Sequence, residues 1–208
     1  MVSLRLALAL PVAAGFVGMS VSLALGSHAV TANDAIGSIP VATETAVVAV
    51  ATTPYVAPTE PVRLVIPTIN VNATIQRVGL SWRNNGDMGV PTNFTDVGWY
   101  NNGPFPGALG NAVIDGHLDG KYVPEAVFFR LGDLQLGDIV EVIDSSGVLR
   151  KFKVTSSELY EFNASTEDIF AGNTATAQLR LITCAGDWDD SSHSYNKRIV
   201  VTAALVGN

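Results

Sequence analysis

The stretch QLRLITCAGDWDD, residues 178–190, decides how this chain is read. Its first half is apolar and ends at Cys184, the only cysteine in the sequence; its second half is acidic. A short, continuously apolar run bounded by Gly and Asp reads as a strand, and one placed centrally in its sheet. Working outward, similar segments recur: RLVIP (63–67), ATIQRVGL (73–80), NAVIDGH (111–117), DIVEVID (138–144), RKFKVTSSEL (150–159) and RIVVTAAL (198–205). Clusters of Gly, Pro, Asn and Asp separate them, a spacing that suits an antiparallel barrel or sandwich. KFKV alternates polar with apolar residues and should lie half exposed, whereas RIVV should be central. Two short helices are expected. VPEAVFFRLGDL (123–134) gathers Val127, Phe128 and Leu131 on one face, and STEDIFAG (165–172) opens with a capping-box pattern from Ser165 to Asp168.

The N-terminus has a different character. After Arg5, residues 6–26 carry no charged side chain, enough to cross a hydrocarbon core of about 30 Å as a helix. Such a run is longer than the roughly 7–15 residues of a signal-peptide core, which favours an uncleaved anchor over a signal cleaved near Ser27–Ala29. Either way the rest of the chain lies outside the cytoplasm. Residues 28–60 contain no Lys or Arg and are broken by Pro40, Pro54 and Pro58, as expected of an extracytoplasmic linker. The boundaries read as 1–27 for the apolar helix, 28–60 for the linker and 61–208 for the folded domain. The net charge of −7, with no basic cluster, excludes a general nucleic-acid binder.

A lone cysteine in an exported chain cannot form an internal disulfide. It is an inert buried filler, an intermolecular bridge or a reactive thiol. The small residues Ala185 and Gly186 after it leave room for a substrate backbone. If the strands ending at Cys184 and starting at Arg198 pair through the 185–197 loop, the guanidinium comes near the thiol. A thiol nucleophile also needs a base or ion-pair partner. Of the three histidines, His28 lies in the linker and His193 in the acidic loop, while His117 ends the strand NAVIDGH beside glycines.

Together these pieces resemble the sortases, membrane-anchored cysteine transpeptidases of bacterial surfaces. The matching elements, in order, are Ile66-Pro67, Gly98–Tyr100, Pro106-Gly107, GNAVIDGH at Gly110–His117, LITC at Leu181–Cys184, and the RIVV strand opening with Arg198. The stretch from GHLDG through DIVEV (116–142) looks most like the class F group, with class E the nearest alternative. The resemblance implies a mainly all-β fold, an eight-stranded barrel with one or two short helices, preceded by the N-terminal apolar helix. It implies that Cys184 attacks a sorting-signal peptide bond, that His117 moves protons, and that Arg198 holds the substrate and steadies the oxyanion. It implies sorting-signal peptides and a cell-wall amine as partners, and no metal or organic cofactor. Thr183 and Ala185, flanking the cysteine, and Ile169 and Phe170, in the loop 157–177, are the expected substrate contacts. Asp115 is expected to be a solvated strand-edge acid and Asp119 to cap a turn. Of Lys197 and Arg198, the arginine is favoured because its fork binds two carbonyl oxygens.

Overall fold

Apolar residues at alternate positions force strands to bury one face, and here the strands close on themselves to do so. The computed structural model describes residues 55–81, 87–171 and 175–207. These belong to the second of two units into which the chain divides, Val50–Asn208. The expected N-terminal helix, the linker up to Pro54, Trp82 and Gly172 lie outside the described residues.

Eight strands form a closed barrel: β1 (Pro61–Ile66), β2 (Val71–Val78), β3 (Val97–Tyr100), β4 (Gly110–Asp115), β5 (Ile139–Asp144), β6 (Leu149–Glu161), β7 (Ala177–Asp189) and β8 (Ser194–Leu205). The order around the barrel is β1-β2-β3-β4-β7-β8-β6-β5. Two neighbouring pairs, β2–β3 and β4–β7, run parallel; the others are antiparallel. The lumen is filled by fully buried side chains such as Leu64, Ile66, Phe128, Phe152, Leu179 and Leu181. Truncating one of these to Ala would cost about 2–5 kcal/mol. In β6, Phe152 and Val154 are buried between exposed Lys151 and Lys153, as the alternation KFKV requires.

Three expectations need correction. The strand Val97–Tyr100 was not foreseen, being short and next to Gly and Asn; it slots between β2 and β4. No α-helix forms over 123–134. The amides of Ala126, Val127 and Phe128 donate to the carbonyls of Leu118, Phe94 and His117, so long-range partners take the bonds that a helix would need. Only a 3-10 turn, Leu131–Asp133, remains. The 185–197 loop is instead mostly ladder: β7 continues to Asp189 and β8 starts at Ser194, with a bulge between Ala185 and Trp188. Gly186 sits in that bulge at φ 81°, and the Asn196 side chain packs over it. Its smallness therefore serves the bulge. The residues just before β1 are bonded to the barrel. The carbonyl of Val56 accepts from Arg150 at 2.8 Å, and the amide of Thr59 donates to Asp144 at 3.3 Å.

The second short helix, α1 (Glu167–Phe170), does form. Thr166 occupies its N-cap without a side-chain bond, and the Ser165 hydroxyl accepts from the Glu167 amide at 3.3 Å.

Candidate active site

Three strands, β4, β7 and β8, set the site by register alone. Cys184 of β7 lies directly opposite Arg198 of β8. On the other side of β7, Asp115 at the end of β4 is level with Ile182, which puts the next residues, Gly116 and His117, alongside Thr183 and Cys184. Two hydrogen bonds carry the alignment past the strand end. The Gly116 amide donates to the Ile182 carbonyl at 3.1 Å, and the Thr183 hydroxyl donates to the Gly116 carbonyl at 2.7 Å. The sheet thus brings Cys184 and Arg198, inside the β7–β8 ladder, to the level of His117 just past the end of β4.

Each is further positioned. The His117 carbonyl accepts from the buried Phe128 at 3.0 Å, and its ring lies 4.9 Å from that of Phe94. Its Nε2 meets the Pro91 carbonyl at 3.0 Å. A carbonyl only accepts, so this nitrogen is the protonated one in that contact. Gly116 is obligatory: a methyl there would stand 2.6 Å from the Phe128 ring. The Arg198 guanidinium donates to the carbonyls of Tyr195 at 3.1 Å and Lys197 at 2.8 Å and to the Ser194 hydroxyl at 3.2 Å. It also lies over the Phe162 ring, 4.6 Å from its centre. Lys197, which points the other way along the strand, pairs with Glu161 at 3.4 Å. Of the two cations, Arg198 is therefore the one opposite the thiol.

Cys184 is half-buried. Burial pushes its thiol up, the Arg198 charge pulls it down, and the Asp119 and Asp115 carboxylates push it up again; the net direction is upward. Asp119 does not cap a turn with its side chain. It accepts a hydrogen bond from the Tyr195 hydroxyl, joining the loop after His117 to the start of β8 across the cysteine. That bond, followed by burial and the Asp119 and Cys184 charges, pushes the Tyr195 phenol up to about 12. Neither partner was singled out as a pair, because nothing in sequence links positions 119 and 195.

Next to these residues lies a cleft of about 520 Å³. Cys184 and His117 are not in its lining, but Arg198 forms part of its wall, with Ile182, Asp115, Ile169 and Phe170. Ile169 is buried, and Phe170 packs edge-on against Tyr100 at 5.2 Å. Thus α1 both covers the barrel and walls the cleft. Thr183 does not line this cleft: it is buried, with its hydroxyl on the Gly116 carbonyl. Ala185, paired with Lys197, is also absent from the cleft lining. Asp115 is not a solvated edge acid. It lines the cleft, its Oδ1 is buried without a hydrogen-bond partner, and burial pushes its carboxyl well above the usual range.

The acids after Cys184 organise the hairpin tip. Asp189 accepts from the amide and hydroxyl of Ser191 and from the hydroxyl of Ser192, and Asp190 accepts from the Trp188 indole. Among the described residues, no group of His, Cys, Asp and Glu side chains is arranged to hold a metal ion.

A thiol flanked by an imidazole and a guanidinium is an arrangement suited to cysteine-dependent acyl transfer. The chain matches the family described as Sortase domain over residues 64–206, and it belongs to that family. Solved structures agree on the fold. A sortase D5 transpeptidase from Clostridium perfringens is 20% identical over 71% of this chain and 79% of its own, with a TM-score of 0.54. Sortase C-1 from Actinomyces oris is 23% identical over 72% and 76%, again at 0.54. A lid mutant of sortase A from Corynebacterium diphtheriae is 22% identical over 74% and 73%, at 0.54. No curated protein matches the chain in sequence.

Proposed function

We propose that this chain is a membrane-anchored transpeptidase that cleaves an LPxTG-like sorting signal and passes the acyl group to a cell-wall amine. The observation that carries the reading is the register of β4, β7 and β8, which brings Cys184 level with His117 on one side and Arg198 on the other. In this scheme His117 takes the Cys184 proton, and the sulfur attacks the scissile carbonyl carbon. The carbonyl oxygen becomes an oxyanion, which the Arg198 guanidinium steadies. Collapse breaks the C–N bond, and His117 returns its proton to the leaving amine. The thioester then meets an incoming amine; His117 removes one of its protons, the new amide forms and the thiol is released. Within the family, the stretch 116–142 supports class F, with class E the alternative. The apolar run 6–26 would be the single-pass anchor, holding the catalytic domain outside the cytoplasm.

The upward shift of the Cys184 thiol fits a nucleophile that is deprotonated only as His117 receives the proton. The test is mass spectrometry of the protein incubated with LPxTG-like peptides, with and without glycine peptides as acceptor. A thioacyl adduct on Cys184 and a ligated product are expected. Full cleavage by Cys184→Ala would sink the nucleophile assignment, and a hydrolysed product unchanged by added amine would make the enzyme a peptidase.

A further inference from the structure

The cleft beside Arg198 contains a feature that the catalytic scheme does not use. Asp115 lines it, yet the buried Oδ1 has no hydrogen-bond partner among the described residues. The carboxyl is built in: across the β3–β4 ladder Asp115 faces Gly98, where a methyl would stand 2.5 Å from Oδ1. The walls carry apolar Ile169, Phe170 and Ile182 as well as the hydroxyls of Thr166, Ser192 and Ser194, and none of these bonds to Oδ1. Arg198, also in the lining, donates to Tyr195, Lys197 and Ser194 and lies over the Phe162 ring, and it makes no bond to Oδ1. Two more acids, Asp87 and Glu161, share the lining. With three carboxylates in its lining the cleft is rich in acceptors, so a ligand that brings a donor is favoured there over one that brings only methylenes.

We infer that Asp115 is a specificity-determining residue, which selects peptides that place an N–H-bearing side chain, an amine or an amide, in this cleft instead of an aliphatic one. The inference rests on the reading of the cleft as the peptide site.

The experiment uses the Cys184→Ala chain, which cannot turn over, and fluorescently labelled Leu-Pro-any-Thr-Gly peptides. In one series the leucine, and in another the variable residue, is replaced by norleucine, glutamine or lysine. Binding is read by anisotropy. In one series the lysine or glutamine peptide should bind roughly tenfold tighter than norleucine. Adding Asp115→Val should abolish or reverse that preference. Asp115→Asn keeps the shape and serves if the valine variant fails to fold; it should weaken lysine more than glutamine. Norleucine preferred in both series, absence of any measurable binding, or an unchanged ratio in the Asp115 variants would overturn the inference. Intact Cys184 is then incubated with the tightest binder. Binding without a thioacyl adduct would overturn the transpeptidase reading and leave the Asp115 preference standing.

Discussion

Cys184 is a thiol held between opposing charges, and those charges predict its reactivity. Arg198 favours the thiolate, while burial, Asp119 and Asp115 oppose it. Alkylation of the native protein by iodoacetamide should therefore rise with pH through a midpoint above the ordinary thiol value. Asp119→Asn should move that midpoint down and Arg198→Ala should move it up; equal midpoints in all three proteins would show that neither charge reaches the sulfur. In a peptide-cleavage assay, Arg198→Ala should lower kcat by about 10²–10³ if its guanidinium steadies the oxyanion. At this scale the sequence was most informative about side chains of distinctive chemistry. Cys184, His117 and Arg198 could be singled out one by one, because residue type and position next to Gly or an apolar run already mark them. Asp115 was misjudged as a solvated edge acid, since its surroundings include Gly98 and α1, neither of which is its neighbour in sequence. Tyr195 gave no signal at all; only the folded hairpin brings its hydroxyl to Asp119.

Among elements, the parallel pairing of β4 with β7 matters most, because it is what carries His117 up to the cysteine. The Thr183 hydroxyl and the Gly116 carbonyl fasten the strands where the ladder ends. Thr183→Val removes that donor at nearly constant volume and leaves a carbonyl without its partner. It should cost about 1–3 kcal/mol in denaturant melts. Activity should fall further than stability explains, because the His117 loop loses its tether. Gly116→Ala meets the Phe128 ring and should destabilise by about 1–3 kcal/mol. If Gly116→Ala melts like the parent and cleaves at the parent rate, the tight packing under His117 is irrelevant to the site. Strands with regular alternation were legible from sequence to within a few residues. The element that misled was 123–134, whose helical spacing of apolar residues is real. Its amides, however, find carbonyls on Phe94, His117 and Leu118, and tertiary bonding overrides local preference.

For the whole molecule, closure of the barrel rests partly on one buried ion pair. Arg150 and Asp144 meet at 2.5 Å with almost no exposure of either side chain. Arg150 also reaches back to Val56, and Asp144 accepts from Thr59, Ser146 and Val148, so the pair ties the segment before β1 to β5 and β6. Burial alone would push the Asp144 carboxyl up. The bonds from Ser146, Arg150, Val148 and Thr59 outweigh it and hold the group well below the usual carboxylate range. A depressed folded pKa means that the folded state binds this proton less readily than the unfolded chain. The pair's stabilisation is therefore complete above the unfolded value of about 3.9 and fades as pH falls toward the folded one. Guanidinium unfolding at pH 7 and pH 3 should show a marked loss of stability for the parent protein on acidification. Asp144→Asn should be less stable at pH 7 by about 3–5 kcal/mol and should lose less on going to pH 3. A variant with the parent's full acid sensitivity would show that other carboxylates control it.

Period-two patterning, turn residues and an ordered set of short motifs were enough, in sequence alone, to determine that this chain is a mainly β barrel and to nominate its thiol, imidazole and guanidinium. Those properties are local or follow from linear order, so they survive being read along a string. Tertiary structure alone decided which residues stand beside them: the Thr183–Gly116 tether, the Tyr195–Asp119 bond, and the unpartnered carboxyl of Asp115 in the cleft. Register between strands far apart in sequence is set by the packing of the whole barrel, and a charge feels only the neighbours that packing assigns to it.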